Sequence, residues 1–284
     1  MMANKTQTVK SLDRGLALLE LLANSGRGLS LLDLVQKTAY PKSSIHSLLV
    51  TLQRRGYLQR SDRKGSYKFG LKLLGLADMA INGLKLQEDA APFLRTLMRE
   101  SGLTVHMAIL ERSETVLVAK IEPPRLFPLA TWVGLRLCLH CTALGKALMA
   151  HLPPIHVQEF KKYHRLSRHN DNTICSWKRL DPELEKTFQQ GYAVDDEENE
   201  LGLRCVGAPV FGNDGQVIAS VSVAGTTTQI TPDNLRGLAG LVKRTAASIS
   251  ETFDDGSAAL KESRWLTSVP IRASEPVVPE CPVA

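Results

Sequence analysis

Between Lys42 and Leu52 a short run sorts two kinds of side chain at helical spacing. Ile45, Leu48, Leu49 and Leu52 fall on one face, and Lys42, Ser43, Ser44, His46, Ser47 and Thr51 on the other. Such spacing predicts an amphipathic helix. Its outward hydroxyls, imidazole and ammonium are groups that hydrogen-bond base edges and phosphates in a duplex groove, and a helix N-terminus itself favours a phosphate. More cations follow at Arg54, Arg55, Arg60, Arg63, Lys64 and Lys68. Residues 1–70 hold twelve Lys and Arg against four Asp and Glu, whereas residues 71–284 hold 23 against 25. The net charge of +6 therefore arises wholly in the first quarter of the chain. A local surplus of this kind matches a polyanion partner, because neutralising phosphates releases condensed counterions.

A second chemistry lies at Cys138-Leu139-His140-Cys141. A CxxC can be a redox pair, or half a zinc site with the histidine it encloses. No second CxxC or HxxxH occurs, so a four-ligand site would have to recruit distant residues; the expectation is no metal and no cofactor. With Cys175, Cys205 and Cys281 the thiols are odd in number and scattered, which suits reduced thiols in a cytosol. No run approaches the roughly 20 apolar residues of a membrane span, and the expected location is the cytoplasm. Cys205 or Cys141 with His140 as base would make a hydrolase or transferase. However, nothing in the sequence orients His140, and G-x-S-x-G, P-loop and G-x-G-x-x-G motifs are absent. No enzymatic activity is expected.

Several elements must position these groups. Helices are expected over residues 12–23, capped by Ser11, over 31–38, capped by Ser30, and from the turn at 39–42 to about 55, where Gly56 ends the third. Residues 57–60 and 66–69 flank a charged, glycine-bearing tip and read as a hairpin. Helix, helix, turn, helix and hairpin is the winged helix-turn-helix order. Residues 71–83 form an apolar helix with few polar positions, which needs a partner such as a second subunit or the following domain. Beyond a helix at 87–100, strands are expected at 104–110 and 115–121, within 130–139, and at 191–194, 206–211 and 217–223. The last two are joined by the turn Gly212-Asn213-Asp214-Gly215. Helices are expected at 142–151, 155–163, 182–190 and 232–253. The fold class is α+β: a DNA-binding domain at 1–70, a linker helix at 71–86, an antiparallel-sheet domain at 87–253 and a structureless tail at 254–284. A DNA-binding architectural protein without a ligand would leave more than half of this chain without a purpose.

The runs VKSLDRGL at 9–16, KSSIHSLL at 42–49, LHCTALGK at 139–146 and GYAVDDEENELGLRCV at 191–206 resemble the IclR family of bacterial transcriptional regulators, in family order and spacing across residues 8–253. The resemblance implies a winged-helix domain, a GAF-like effector domain, homodimers or dimers of dimers, and a pseudo-palindromic double-stranded operator. It also implies an effector pocket made by the backbone amides of Ala143 and Leu144 with Asp195, Cys205 and Ser222, walled by Leu129, Leu137 and Leu203. By charge pattern alone the run Asp195-Asp196-Glu197-Glu198 reads as a solvated loop, and His140 as a core histidine. Three positions depart from the family: Ser47 where arginine is usual, Cys138 where proline is usual, and Ala224 where some members that bind small oxo-acids carry a second serine. The lost hydroxyl leaves room for a larger or aromatic carboxylate.

Overall fold

The computed structural model describes residues 9–25, 28–61, 65–82, 85–111, 113–124 and 129–252. They form two compact units that divide at residue 83. In the first unit, α1 (Lys10–Asn24), α2 (Leu31–Lys37) and α3 (Lys42–Arg54) precede an antiparallel hairpin of β1 (Leu58–Arg60) and β2 (Tyr67–Phe69), and α4 (Lys72–Asn82) follows. Ser30 caps α2 as expected. Its hydroxyl accepts from the Asp33 amide at 3.2 Å, while the Asp33 carboxylate accepts from the Ser30 amide at 2.7 Å, so two first-turn amides are satisfied reciprocally. Gly56, at φ +80°, ends α3. The hairpin is locked to the helices where Leu29 and Tyr67 exchange backbone hydrogen bonds of 3.2 and 2.8 Å. A Cβ on neighbouring Gly28 would lie 2.8 Å from the Tyr67 carbonyl oxygen, so only glycine allows this approach. Leu18, Leu22, Leu29, Leu34, Ile45, Leu49, Leu58 and Tyr67 close the core. Each buried aliphatic there contributes about 1.5–3 kcal/mol.

The first helix differs from expectation. It starts at Lys10 with Val9 at the cap position and no capping side chain, so Ser11 is not its cap. Leu18 and Leu22 are buried, but Leu12 and Leu16 are 62% and 51% exposed. Packing begins at buried Gly15, and Leu12 and Leu16 point away from the stripe that Gly15, Leu18 and Leu22 define. On α4, Leu74 and Met79 are exposed, as is Leu71 just before it; an apolar helix surface faces solvent in this single chain. Wing-tip residues Arg63 and Lys64 and the tail lie outside the described residues.

The second unit is a six-stranded antiparallel sheet between two helical layers. Its strands are β3 (Thr104–Glu111), β4 (Glu114–Ile121), β5 (Arg136–Leu137), β6 (Ala193–Asp196), β7 (Leu203–Phe211) and β8 (Val217–Thr226), ordered β5-β4-β3-β8-β7-β6. On one face Val105, Met107, Val206, Ala208, Val221 and Val223 pack with Leu94 and Leu97 of α5 (Lys85–Ser101) and Val242 and Ala246 of α9 (Pro232–Glu251). The other face carries α6 (Ala143–Met149), and α7 (Pro154–Tyr163) and α8 (Trp177–Gln190) complete that side. The strands expected at 191–194, 206–211 and 217–223 run instead over β6, β7 and β8, so Asp195 and Cys205 fall within strands, and two further elements differ from the pattern read in sequence. The strand expected within 130–139 shrinks to Arg136–Leu137. Helix α8 starts five residues before Pro182 and runs through it, because Leu180 and Leu184, one turn apart, are both buried and outweigh the one backbone hydrogen bond a proline removes.

Candidate functional site

The outward face of α3 is as the spacing predicts. Lys42, Ser43, His46, Ser47, Thr51 and Arg54 are exposed and Ser44 is half-buried, against buried Ile45 and Leu49. Leu31, Lys42, Ser43, His46 and Ser47 line an open cleft of about 400 Å³ between α2 and the start of α3. Two hydroxyls are already engaged. Ser47 Oγ donates to the Ser43 carbonyl at 3.1 Å, and Thr51 Oγ1 to the Ser47 carbonyl at 2.9 Å. Each spends its proton on its own helix and offers lone pairs outward, so these two suit donors such as the adenine or cytosine amino group. Lys42, Ser43 and His46 remain as the outward donors of the first two turns.

The second site lies on the α6 side of the six-stranded sheet. Strand register places Asp195, Cys205, Ala224 and Thr104 in one cross-strand row, and Gly207, Ser222, His106 and Lys120 in the next. Directly paired residues, and residues two apart along a strand, share a face. One side of this sheet is therefore apolar, and the other presents Asp195, Thr104, His106 and Ser222, each at most 4% exposed. The start of α6 lies directly on this face, where a Cβ on Gly207 would come within 2.9 Å of the Ala143 carbonyl oxygen. Thr142 caps α6, accepting from the Gly145 amide at 3.0 Å and donating to the Cys138 carbonyl at 2.8 Å. The Ala143 and Leu144 amides, in the first turn, have no acceptor within the helix. Leu144 and Leu137 pack together with Ala108, Leu117 and Leu135 as an apolar wall, and Leu203 sits half-buried at the start of β7.

Each buried polar group has a specific environment. Asp195 Oδ1 accepts from the Glu198 and Asn199 amides at 2.9 and 3.3 Å, and burial pushes its carboxyl up to about 7. It is thus not part of a solvated loop, despite the acidic run. His106 Nε2 lies 2.8 Å from Thr131 Oγ1; burial, and then the charge of Lys120, hold its imidazole down to about 4. Lys120 pins the edge of the site by donating to the Leu129 and Thr131 carbonyls at 2.8 and 2.7 Å, which brings Leu129 alongside. Cys205 is pushed well up by burial and then by Asp195, so its thiol is protonated and inert as a nucleophile. Lys146 of α6, fully buried, pairs with Glu198 and with Glu183 at 3.2 Å. Burial opposes its charge, and the two carboxylates outweigh that opposition and raise its pKa.

His140 Nε2 lies 2.9 Å from the Ser167 carbonyl oxygen and the residue is 2% exposed, consistent with a satisfied core histidine. Cys138 and Cys141 are joined by His169, so that the ligand atoms of all three lie within 4.8 Å of one another. For His140 the sequence could not show its partner, the Ser167 carbonyl. His106, Lys120, Thr131 and His169 were not singled out from sequence either. Only the alternation Thr104, His106 against Val105, Met107 signalled a strand with one polar face. A separate open cleft of about 430 Å³ lies among Asp171, Arg179, Asp196, Glu197, Glu198 and Arg204. Its walls are charged and do not include His106, Ser222 or Cys205, so the buried face is the better candidate for an organic ligand.

A winged helix-turn-helix unit with an exposed polar face on its third helix, followed by an antiparallel-sheet unit, defines the class of a DNA-binding regulator. Residues 79–251 match the family model described as Bacterial transcriptional regulator IclR C-terminal, and residues 11–62 match the IclR helix-turn-helix domain. The chain belongs to the IclR family, a family of transcriptional regulators and not of enzymes. It is 32% identical over 253 residues to the transcriptional repressor IclR of Escherichia coli K12, covering 88% of this chain and 92% of that one. It is 31% identical over 245 residues to the HTH-type transcriptional regulator XynR of the same organism, covering 86% and 97%. The crystal structure of the Thermotoga maritima IclR superposes with a TM-score of 0.71 at 28% identity, covering 86% of this chain and 99% of that one. Among the described residues no helix is long and apolar enough to cross a membrane.

Proposed function

We propose that this regulator works in the cytoplasm as a homodimer or dimer of dimers, repressing from a two-fold symmetric operator, and that a small organic acid bound in the second unit changes its operator affinity. The buried polar face under the start of α6 carries the effector reading. The Ala143 and Leu144 amides have no acceptor within α6; leaving a buried donor unpaired is unfavourable by roughly 1–3 kcal/mol, and a carboxylate seated on them would supply the missing acceptor. Ser222, Cys205 and Asp195 would contact its polar end, with Leu129, Leu137 and Leu203 along its body. Ala224, lacking a hydroxyl, favours an acid larger than glyoxylate or pyruvate. Exposed Leu12 and Leu16 of α1 and Leu74 and Met79 of α4 support self-association through the first unit. An acid that prefers one arrangement of the paired recognition helices shifts operator affinity by that preference.

Calorimetry of the purified chain against a panel of aliphatic and aromatic carboxylic acids tests this reading, together with gel shifts on the chain's own upstream DNA with and without each acid. The expected result is one or more larger acids that bind and alter the shift. Tight binding of glyoxylate or pyruvate would overturn the size argument. Failure of every acid to bind would overturn the effector reading itself.

A further inference from the structure

Cys138, Cys141 and His169 lie on two segments, with His169 following Cys141 by 28 residues. Cys138 and Cys141 flank the turn that leads into α6, a turn held by the Thr142 hydroxyl donating to the Cys138 carbonyl. His169 comes from a loop that is tied down in several places. Its amide and that of Asn170 donate to Thr173 Oγ1 at 3.1 and 3.0 Å, and Thr173 Oγ1 donates to the Glu198 carbonyl at 2.7 Å. Asn170 Nδ2 donates to the Glu197 carbonyl at 2.9 Å. Neither segment owes its path to the meeting of the three side chains, yet both deliver a ligand atom to one point.

The donors are two thiols and an imidazole, the set preferred by zinc among the abundant divalent cations. Cys138 Sγ lies 3.4 Å from His169 Nε2. A tetrahedral zinc with bonds of about 2.3 Å to sulfur and 2.0 Å to nitrogen holds those two atoms roughly 3.5 Å apart, so this pair already stands at ligand spacing, and Cys141 Sγ lies within 4.8 Å of both. Cys141 is fully buried, whereas Cys138 and His169 are partly exposed, which leaves an entry path. Ser167 Oγ stands 3.4 Å from His169 Nε2 and 3.8 Å from Cys138 Sγ, and Asn199 Oδ1 is 3.9 Å from Cys141 Sγ. Among the described residues these groups provide polar surroundings without a fourth strong ligand.

We propose that Cys138, Cys141 and His169 form a three-ligand zinc site whose fourth position is left to water or a small exogenous ligand. Three protein ligands and one open position characterise zinc sites that exchange a ligand, in contrast to closed four-ligand structural sites. This replaces the metal-free reading of the Cys138–Cys141 pair taken from sequence, where His169 was invisible. The site stands apart from the effector reading, since its test needs neither acid nor operator.

The test uses the full chain, reduced, stripped of metal by chelation, and titrated with Co²⁺ and then with Zn²⁺ against a chromogenic chelator. The expected result is one equivalent of Co²⁺ per chain, with thiolate-to-cobalt charge transfer and d–d bands of tetrahedral strength that Zn²⁺ abolishes. Cys138→Ser and His169→Ala should each lower zinc affinity at least tenfold while circular dichroism shows the fold retained. His156→Ala, on the surface of α7 beside Glu159, should leave titration and spectrum unchanged. Absence of stoichiometric binding, or a cobalt spectrum unaltered by Cys138→Ser, would overturn the site. A Cys138–Cys141 disulfide found by mass spectrometry, with no cobalt bound after its reduction, would assign the pair to redox chemistry and would also overturn it.

Discussion

The face of α3 and the α6 side of the sheet are both rows of polar side chains, but they exist under opposite conditions. His46, Ser43 and Lys42 are exposed, keep their hydration in the folded state and cost folding little. His106, Ser222, Asp195 and Lys146 are nearly or wholly buried, and each must regain inside the protein what it loses from water. Lys146 does so through Glu198 and Glu183, Asp195 through two backbone amides, and His106 through Thr131. A polar surface that meets its partner from solvent can be built from one segment. One that is sealed has to be assembled from many.

The largest test of this contrast is Lys146→Met, which strands two carboxylates against α6. Breaking a buried pair from one side should lower unfolding free energy by about 3–5 kcal/mol, whereas His46→Ala should stay within about 0.5 kcal/mol of the parent. Urea unfolding measures both, and equal losses would erase the distinction drawn here.

The next test reads pH. Asp195 titrates at about 7 in the folded chain against an ordinary 3.8. As pH rises between those values, the unfolded chain releases a proton that the folded chain keeps, and stability falls. Asp195→Asn removes that fall and should gain on the parent by about 3 kcal/mol from pH 4 to pH 7. His106 has the opposite sign, at about 4 against an ordinary 6.5. As pH falls through that window the unfolded chain takes up a proton that the folded chain refuses, so His106→Gln should gain by about 3 kcal/mol from pH 6.5 down to pH 4. Unfolding curves at pH 4, 5.5 and 7 should therefore tilt in opposite senses for the two variants. Parallel curves would mean that these groups are hydrated after all.

On the exposed face the effects move from stability to binding. His46→Ala should lose about 1–3 kcal/mol of discrimination between operator and altered operator, measured by fluorescence anisotropy, with an unchanged melting temperature. The smallest effect is expected of Lys42→Ala: weaker binding to all duplexes alike, and a salt slope shallower by about one. A sequence-dependent loss for Lys42→Ala would make it a base contact instead.

What could be read without coordinates followed locality. The α3 stripe, the Ser30 cap, Gly56 and the β7–β8 hairpin turn each depend on residues within a few positions of one another, so helical period, capping and turn chemistry were sufficient. The same reasoning placed the cap of α1 at Ser11, which lies inside the helix, and gave no sign that Leu12 and Leu16 are exposed, because which side of a helix is covered depends on what packs there. It also delayed α8 to Pro182, because the burial of Leu180 and Leu184 was not visible. Asp195 looked like a solvated acid for a related reason: nothing in the run Asp195-Asp196-Glu197-Glu198 marks which carboxylates turn inward.

By itself the amino-acid sequence determined a basic winged helix-turn-helix with a particular outward face, the IclR family membership, and the positions of most strands. The family resemblance had grouped Asp195, Cys205 and Ser222; tertiary structure alone decided that His106 shares their face of the sheet, and that His169 meets Cys138 and Cys141. Those neighbours are set by strand register and loop anchoring across tens of residues, and side-chain periodicity along a chain carries no record of which distant segment will lie beside it.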